Sequence, residues 1–274
     1  MTLFTRDVTV CVLSSGSSGN ATYIGDGHAG VLVDCGVSTK QILARLDAAG
    51  LTSAPIDGVL LTHEHKDHVG GAAVLARALA RRKHPVPFYC TQGTRDALDP
   101  RCFPDGLEII EAGKPFRVKH LIVEPIPIPH DVRDPVAYRV IAGDAPVAVI
   151  TDLGRPTALV ARALRDCRAA VLEFNHDEDM LWNGPYPPHL KQRIRGNHGH
   201  LSNRQAAQLL EDGLGPRLDH LILAHLSEEN NTPQHALTEA RRVLDGAGVL
   251  GRVHLQTALQ HAALQPVTVQ TRVW

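Results

Sequence analysis

The residue pattern predicts an α+β fold in which helices cover a sheet, and three observations carry that prediction. Short apolar runs at residues 8–13, 31–33 and 59–61 end in Gly, Ser or Asp, as buried strands do where they run into loops. Helical stretches follow them, as at 71–82, where Val74, Leu75, Ala78 and Leu79 recur at helical spacing. The chain has 274 residues, 43% of them hydrophobic and 21% charged, which suits one folded unit spanning 1–274.

In chain order, the first third reads as strands 8–13, 31–33 and 59–61 with helices at 40–49 and 71–82. Later strands are expected at 121–123, 138–141, 147–151, 170–173 and 221–224, and helices at 156–166, 203–211 and 233–243. Residues 176–200 are rich in Pro, Gly, His and Arg and lack periodicity. They read as a long irregular stretch over a site, because such stretches inside compact domains are usually functional. Residues 255–274 are expected to add edge strands. No repeat, low-complexity tract or Ser/Gly linker divides the chain.

Composition excludes some roles. No apolar run approaches the roughly 20 residues of a membrane span, and residues 1–7 carry no recognisable secretory signal, so a cytoplasmic protein without a membrane partner is expected. The cysteines Cys11, Cys35, Cys90, Cys102 and Cys167 are scattered without a CxxC pair and read as reduced core thiols. Net charge is -1, so no global basic field advertises nucleic acid, although a local basic groove remains compatible with it. The chain holds 16 histidines, and their positions carry the argument.

The strongest signal is His63-Glu64-His65-Lys66-Asp67-His68, directly after the apolar run 59–61 and before a helix that starts near Gly70. In a turn, His63 and His65 can converge on one ion while Asp67 and His68 point at a neighbouring one. Imidazole and carboxylate ligands suit Zn²⁺ and also Mn²⁺ or Fe²⁺.

HxHxDH after a strand resembles the signature of the metallo-β-lactamase superfamily, which implies an αββα sandwich. The resemblance further calls for an Asp upstream at a strand end, then a His, an Asp and a final His at later ones. Asp34, His130, Asp152 and His225 stand in that order. It implies that His63, His65 and His130 hold one divalent metal and Asp67, His68 and His225 another, with Asp152 bridging and Asp34 steadying the ligand loop. A bridging hydroxide would then serve hydrolysis.

Over nearly its whole length the chain also resembles the exonuclease-like YycJ/WalJ branch of that superfamily and, more distantly, tRNase Z. The resemblance rests on Leu13-Ser14-Ser15-Gly16-Ser17-Ser18-Gly19-Asn20-Ala21, on Met180-Leu181 with Gly184-Pro185-Tyr186-Pro187, and on Leu190-Lys191 with Arg193-Ile194. Further pieces are Gly199-His200-Leu201-Ser202-Asn203 and Ala224-His225-Leu226-Ser227-Glu228-Glu229-Asn230-Asn231-Thr232-Pro233. Ser17, Ser18 and Asn20 lie in a loop whose composition suits an anionic oxygen, although Gly and Ser also make plain turns. His200 precedes an expected helix N-terminus, and the resemblance pairs it with Glu173 at the end of the preceding strand. Lys191, Arg193 and Arg195 form a small basic cluster able to touch phosphates or simply to face water. His176 and His198 flank the site without matching a ligand slot.

The expected function is therefore a dinuclear-metal phosphodiesterase, a 5′–3′ exonuclease-like nuclease on DNA or RNA. In it Asp67 orients or deprotonates the attacking hydroxide and His200, steadied by Glu173, protonates the departing oxygen. The alternatives are a hydrolase of a small cyclic phosphodiester or of a thioester, as in glyoxalase II, or a protein that binds in this pocket without hydrolysis. Oligomeric state is not legible.

Overall fold

The computed structural model describes residues 7–81 and 85–271. The first half runs β1 (Asp7–Ser14), β2 (Ala21–Gly25), β3 (Gly30–Val33), α1 (Thr39–Ala48), β4 (Gly58–Leu60), α2 (Lys66–Val69), α3 (Ala72–Arg81), β5 (Phe88–Thr91), α4 (Gln92–Ala97) and β6 (Leu107–Ile110). The second runs β7 (Phe116–Val118), β8 (Leu121–Pro127), β9 (Val136–Ala142), β10 (Ala145–Ile150), α5 (Ala158–Arg165), β11 (Ala169–Glu173), α6 (Glu178–Asn183), α7 (Pro188–Ile194), α8 (Asn203–Gly213), β12 (His220–Ala224), α9 (Pro233–Gly246), β13 (His254–Thr257) and β14 (Val267–Gln270).

The strands form two seven-stranded sheets, ordered β14-β1-β2-β3-β4-β5-β6 and β13-β12-β11-β10-β9-β8-β7. Alternation along each strand builds the layers. Val8, Val10, Val12, Val31 and Val33 meet Val123, Val140, Val147, Val171 and Ile222 of the other sheet in one apolar cluster. From the opposite face of the first sheet, Cys11, Leu13, Leu32, Val59 and Leu61 pack on Ile42 and Leu46 of α1 and Leu75 and Leu79 of α3. Ile150, Leu172 and Leu223 of the second sheet pack on Val160, Leu164, Leu210 and Leu244 of α5, α8 and α9. The layers are therefore helix, sheet, sheet, helix, the expected αββα sandwich. Central strands covered on both faces need apolar side chains at nearly every position, which is why they read as continuous runs.

Two expectations need correction. Residues 176–200 are not an irregular stretch: Asp177 caps α6 by accepting from the backbone N–H of Asp179 and Met180, and α7 follows Pro187. Helices of six and seven residues are too short to show a period. β2, β5, β6, β7 and α4 also form where no element was expected. The four strands have only three to five residues. The C-terminal expectation of edge strands is met by β13 and β14, each at the rim of its sheet. Arg82, Lys83 and His84, at the end of the expected helix 71–82, and residues 272–274 lie outside the described residues. Among the described residues, no helix is long and apolar enough to cross a membrane.

Candidate metal centre

Topology brings the candidate residues to one edge. Strand β3 runs parallel to β4, and β10, β11 and β12 run parallel to one another, so their carboxyl ends open in the same direction. Leu172 pairs with Ile150 on one side and Leu223 on the other. Asp152, Glu173 and His225 therefore emerge one or two residues past a common rung. In the first sheet Val33 pairs with Leu60, which puts Asp34 and the His63–His68 loop side by side.

Asp34 (φ 62°), Asp152 (φ 57°) and His225 (φ 55°) hold the left-handed conformation that L residues mostly avoid. Such positions cost about 1–3 kcal/mol each and persist only where neighbours over-determine them. Here the Asp34 N–H donates to the Leu60 carbonyl at 2.8 Å, and the His225 N–H donates to Ser15 Oγ at 2.7 Å. The ligand loop is fastened likewise. The Asn20 N–H donates to the Asp67 carbonyl at 2.7 Å, and the Cys35 N–H to that of His68 at 2.8 Å. Gly36 crosses so close that a Cβ there would sit 1.6 Å from the Asp67 carbonyl oxygen.

His63, His65 and His130 bring one ligand atom each within 4.8 Å of one another, and so do Asp67, His68 and His225. Asp152 joins His63 and His68 in one grouping and Glu173, His200 and His225 in another. Its Oδ2 lies 2.9 Å from His68 Nε2 and its Oδ1 3.9 Å from His130 Nε2. The histidine nitrogens turned away from the cluster have partners. His68 Nδ1 meets Asp34 Oδ2 at 2.7 Å, His225 Nδ1 meets Glu173 Oε1 at 3.1 Å, and His130 Nδ1 meets the Gly199 carbonyl at 3.1 Å. His63 Nδ1 lies 3.0 Å from Thr62 Oγ1, which itself reaches Asp34. These contacts engage Nδ1 and turn each Nε2 toward the cluster, where loss of its proton would present a lone pair to a cation.

The donor set fits divalent cations on two further grounds. His225 Nε2 is buried without a hydrogen bond, a costly state that coordination would relieve. The cluster is also rich in buried anion. Burial disfavours a charged His68, yet Asp152, Asp34 and Asp67 together hold it well above its ordinary value. Burial likewise opposes a charged His225, and Asp152, Asp67 and Glu173 raise it to about 10. Positive charge is thus demanded here.

Beside the cluster, His200 Nδ1 meets Glu173 Oε1 at 2.9 Å. Glu173 is fully buried and also accepts the Leu153 N–H on Oε2 at 2.8 Å. One carboxylate therefore orients both His200 and the candidate ligand His225. His200 lines a cavity of about 170 Å³ with Ser17, Asn175, Tyr186, Asp131 and Arg193. The Arg193 guanidinium pairs with Asp131, next to His130.

The other substrate-binding candidates disperse. Asn20 is buried, exchanging hydrogen bonds with Gly16 and reaching Asp67 and His68, so it props the ligand loop and does not line this cavity. Ser18 is exposed, its N–H donating to Gln260 Oε1 at 2.8 Å. Lys191 lines a different cavity, and its ammonium donates to the Trp182 carbonyl at 2.7 Å.

Sequence reasoning passed over Ser15, Thr62, Asp131 and Asn175, whose amide donates to the His225 carbonyl at 2.9 Å. Thr62 and Asp131 each adjoin a candidate ligand in sequence. Ser15 stands in the Ser/Gly run that carries the resemblance but was given no role of its own, and Asn175 gave no signal, since only the fold brings them to His225.

The beta-lactamase superfamily domain matches residues 30–226. The exodeoxyribonuclease YycJ of Bacillus anthracis is 34% identical over 240 residues, covering 86% of this chain and 89% of that protein. The exodeoxyribonuclease WalJ of Streptococcus pneumoniae is 34% identical over 230 residues, 82% of this chain and 84% of the other. Among solved structures, the metallo-β-lactamase fold protein YhfI from Bacillus subtilis superposes with a TM-score of 0.70 at 16% identity, covering 94% of this chain and 99% of that one. Sequence match, layer order and the His/Asp cluster at the strand ends agree, and the chain belongs to the metallo-β-lactamase superfamily, within it to the family of the exodeoxyribonucleases YycJ and WalJ.

Proposed function

We propose that this protein is a dinuclear-metal phosphodiesterase acting on nucleic acid, a 5′–3′ exonuclease. The observation that carries the reading is the His200–Glu173 pair at 2.9 Å, set beside a seven-residue His/Asp cluster in a cavity that also holds Arg193. A thioester hydrolase has no need of a proton donor and a guanidinium at such a place. The names of the 34% identical relatives support the same substrate class.

His63, His65 and His130 would hold one ion and Asp67, His68 and His225 the other, with Asp152 between them. Zn²⁺ and Mn²⁺ suit this donor set, and Fe²⁺ is compatible with it. Bound there, two divalent ions supply activated water near neutral pH and neutralise charge on phosphate oxygens. Asp67 would orient the attacking water and accept its proton. With Nδ1 engaged by Glu173, His200 has Nε2 left to deliver a proton to the departing sugar oxygen. Arg193 offers a bidentate fork to a phosphate once it exchanges Asp131 for substrate.

The test is digestion of 5′-labelled single-stranded DNA and RNA by stripped protein reloaded with Mn²⁺ or Zn²⁺. Stepwise shortening from the 5′ end is expected. If both polymers survive metal-loaded protein that still hydrolyses S-lactoylglutathione, the proposal is wrong.

A further inference from the structure

Helix α7 separates two cavities. Leu190, Arg193 and Ile194, on one face at i, i+3 and i+4, line the cavity of His200. Lys191 and Arg195, i and i+4 on another face, line a second cavity of about 240 Å³ together with His176, Trp182 and Ser202. Their linings have no residue in common but adjoin along the chain. Glu173 and His176 leave the same strand, and the His176 backbone bridges to Ser202, two residues after His200.

The second cavity has three properties of a nucleotide site. Trp182 is a large exposed aromatic, 67% accessible, with the Arg195 guanidinium 5.8 Å from its ring centroid. Arg195 and Lys191 place two cations at its rim, while the lone carboxylate, Glu178, is occupied by Ser202 Oγ at 2.9 Å and Arg204 at 3.3 Å. Within the wall, His176 is 2% exposed and its Nδ1 has no hydrogen-bond partner. A buried, partnerless polar atom at the lining of a cavity is a group awaiting a ligand. Among the residues of α6 only Leu181 is buried.

We propose that this cavity is a second nucleotide subsite, which takes an unpaired base of the strand whose scissile phosphate lies at His200. The base stacks on Trp182, the phosphate beside it sits between Lys191 and Arg195, and His176 meets the base edge. The inference rests on the nuclease reading and adds a place for the neighbouring nucleotide. Stacking on an aromatic ring suits any base and requires a single strand.

The experiment measures binding, so that cleavage is not its readout. Metal-loaded protein is titrated with a hexathymidylate whose linkages are all phosphorothioate, following tryptophan emission and the anisotropy of a 5′ label. Saturable quenching is expected, and loss of it in Trp182→Phe, which leaves Trp274 as the remaining tryptophan. Trp182→Ala is expected to weaken binding about tenfold, within the range for one base–aromatic stack, while Trp182→Phe recovers most of it. Replacing Lys191 and Arg195 by Ala is expected to reduce the slope of log affinity against log salt by about 1.4, two phosphate contacts at about 0.7 each. The subsite is overturned if wild-type emission does not change on binding, if Trp182→Ala binds as wild type does, or if hexaglutamate displaces the strand at equal charge. Cleavage of labelled DNA alongside any of those results would leave the nuclease reading standing; quenching without cleavage would leave the subsite and remove the nuclease.

Discussion

Replacing Glu173 with Gln changes one carboxylate oxygen to an amide and nothing in size, yet four donors depend on that carboxylate. His200 Nδ1 at 2.9 Å and His225 Nδ1 at 3.1 Å share Oε1, and the Leu153 N–H at 2.8 Å and the Leu201 N–H at 3.5 Å use Oε2. A glutamine has a single acceptor oxygen, so either the two imidazoles or the two backbone amides must face an NH₂ group. A buried donor left so costs about 1–3 kcal/mol. Loss of the group that orients the proton donor should lower kcat about 10²- to 10⁴-fold, or about 2.7–5.5 kcal/mol of barrier. Because His225 is oriented by the same oxygen, affinity for one metal should also fall about 10- to 100-fold. The assay compares Glu173→Gln with His200→Ala at saturating metal, on single-stranded DNA and on bis(p-nitrophenyl) phosphate. An alkoxide needs a proton to depart and p-nitrophenolate does not. Both variants should therefore lose the full factor on DNA and less than about tenfold on the aryl ester. Only Glu173→Gln should weaken metal binding. Equal losses of His200→Ala on both substrates would refute His200 as the proton donor, and an unchanged metal affinity in Glu173→Gln would refute the coupling through His225.

Other outcomes follow from the same coordinates. Gly36→Ala should abolish bound metal, measured by elemental analysis of purified protein, since its methyl would lie 1.6 Å from the Asp67 carbonyl oxygen and displace the ligand loop. Asp34→Asn keeps a side chain that tolerates φ 62° but removes the anion 2.7 Å from His68 Nδ1, so metal affinity by competition with a chelating dye should fall about 10- to 100-fold with little backbone change. Metal at 100 times its dissociation constant adds about 2.7 kcal/mol per site, about 5.4 kcal/mol for two, and chelation should lower the melting temperature by roughly 11–22 °C at about 2–4 °C per kcal/mol. Burial pushes the thiols of Cys11, Cys90 and Cys167 up to about 12 and that of Cys35 well above its ordinary value. A raised thiol stays protonated and unreactive at pH 8. Only Cys102, which is partly exposed, should react promptly with an aromatic disulfide reagent in native protein, and all five should react on unfolding.

The seven candidate ligands were legible in the sequence because the HxHxDH run resembles a known signature and the remaining positions fall after apolar segments in the order it calls for, and a strand buried on both faces announces itself as a run of Val, Ile, Leu and Ala. Residues 59–61, 147–151 and 221–224 were read for that reason, and with them His63, Asp152 and His225. The short rim strands β6 and β7, with mixed exposure, carry no such run. Helices α6 and α7 were missed because neither spans enough turns for a period to emerge.

By itself the residue pattern determined that helices cover a sheet and where the principal strands end, while the αββα layering, the candidate ligand set and the pairing of His200 with Glu173 came from the resemblance that those strand-end residues carry. Only the tertiary structure decided which polar groups stand behind the ligands. Ser15 meets His225 across 210 residues of chain, and Asn20 meets Asp67 across 47. Only the structure, too, could divide the basic residues of 191–195 between two cavities, since Arg193 differs from Lys191 and Arg195 by the side of α7 on which it falls. Contacts of that kind are set by sheet register and helix rotation, which arise from packing against distant segments and leave no mark in the neighbouring sequence.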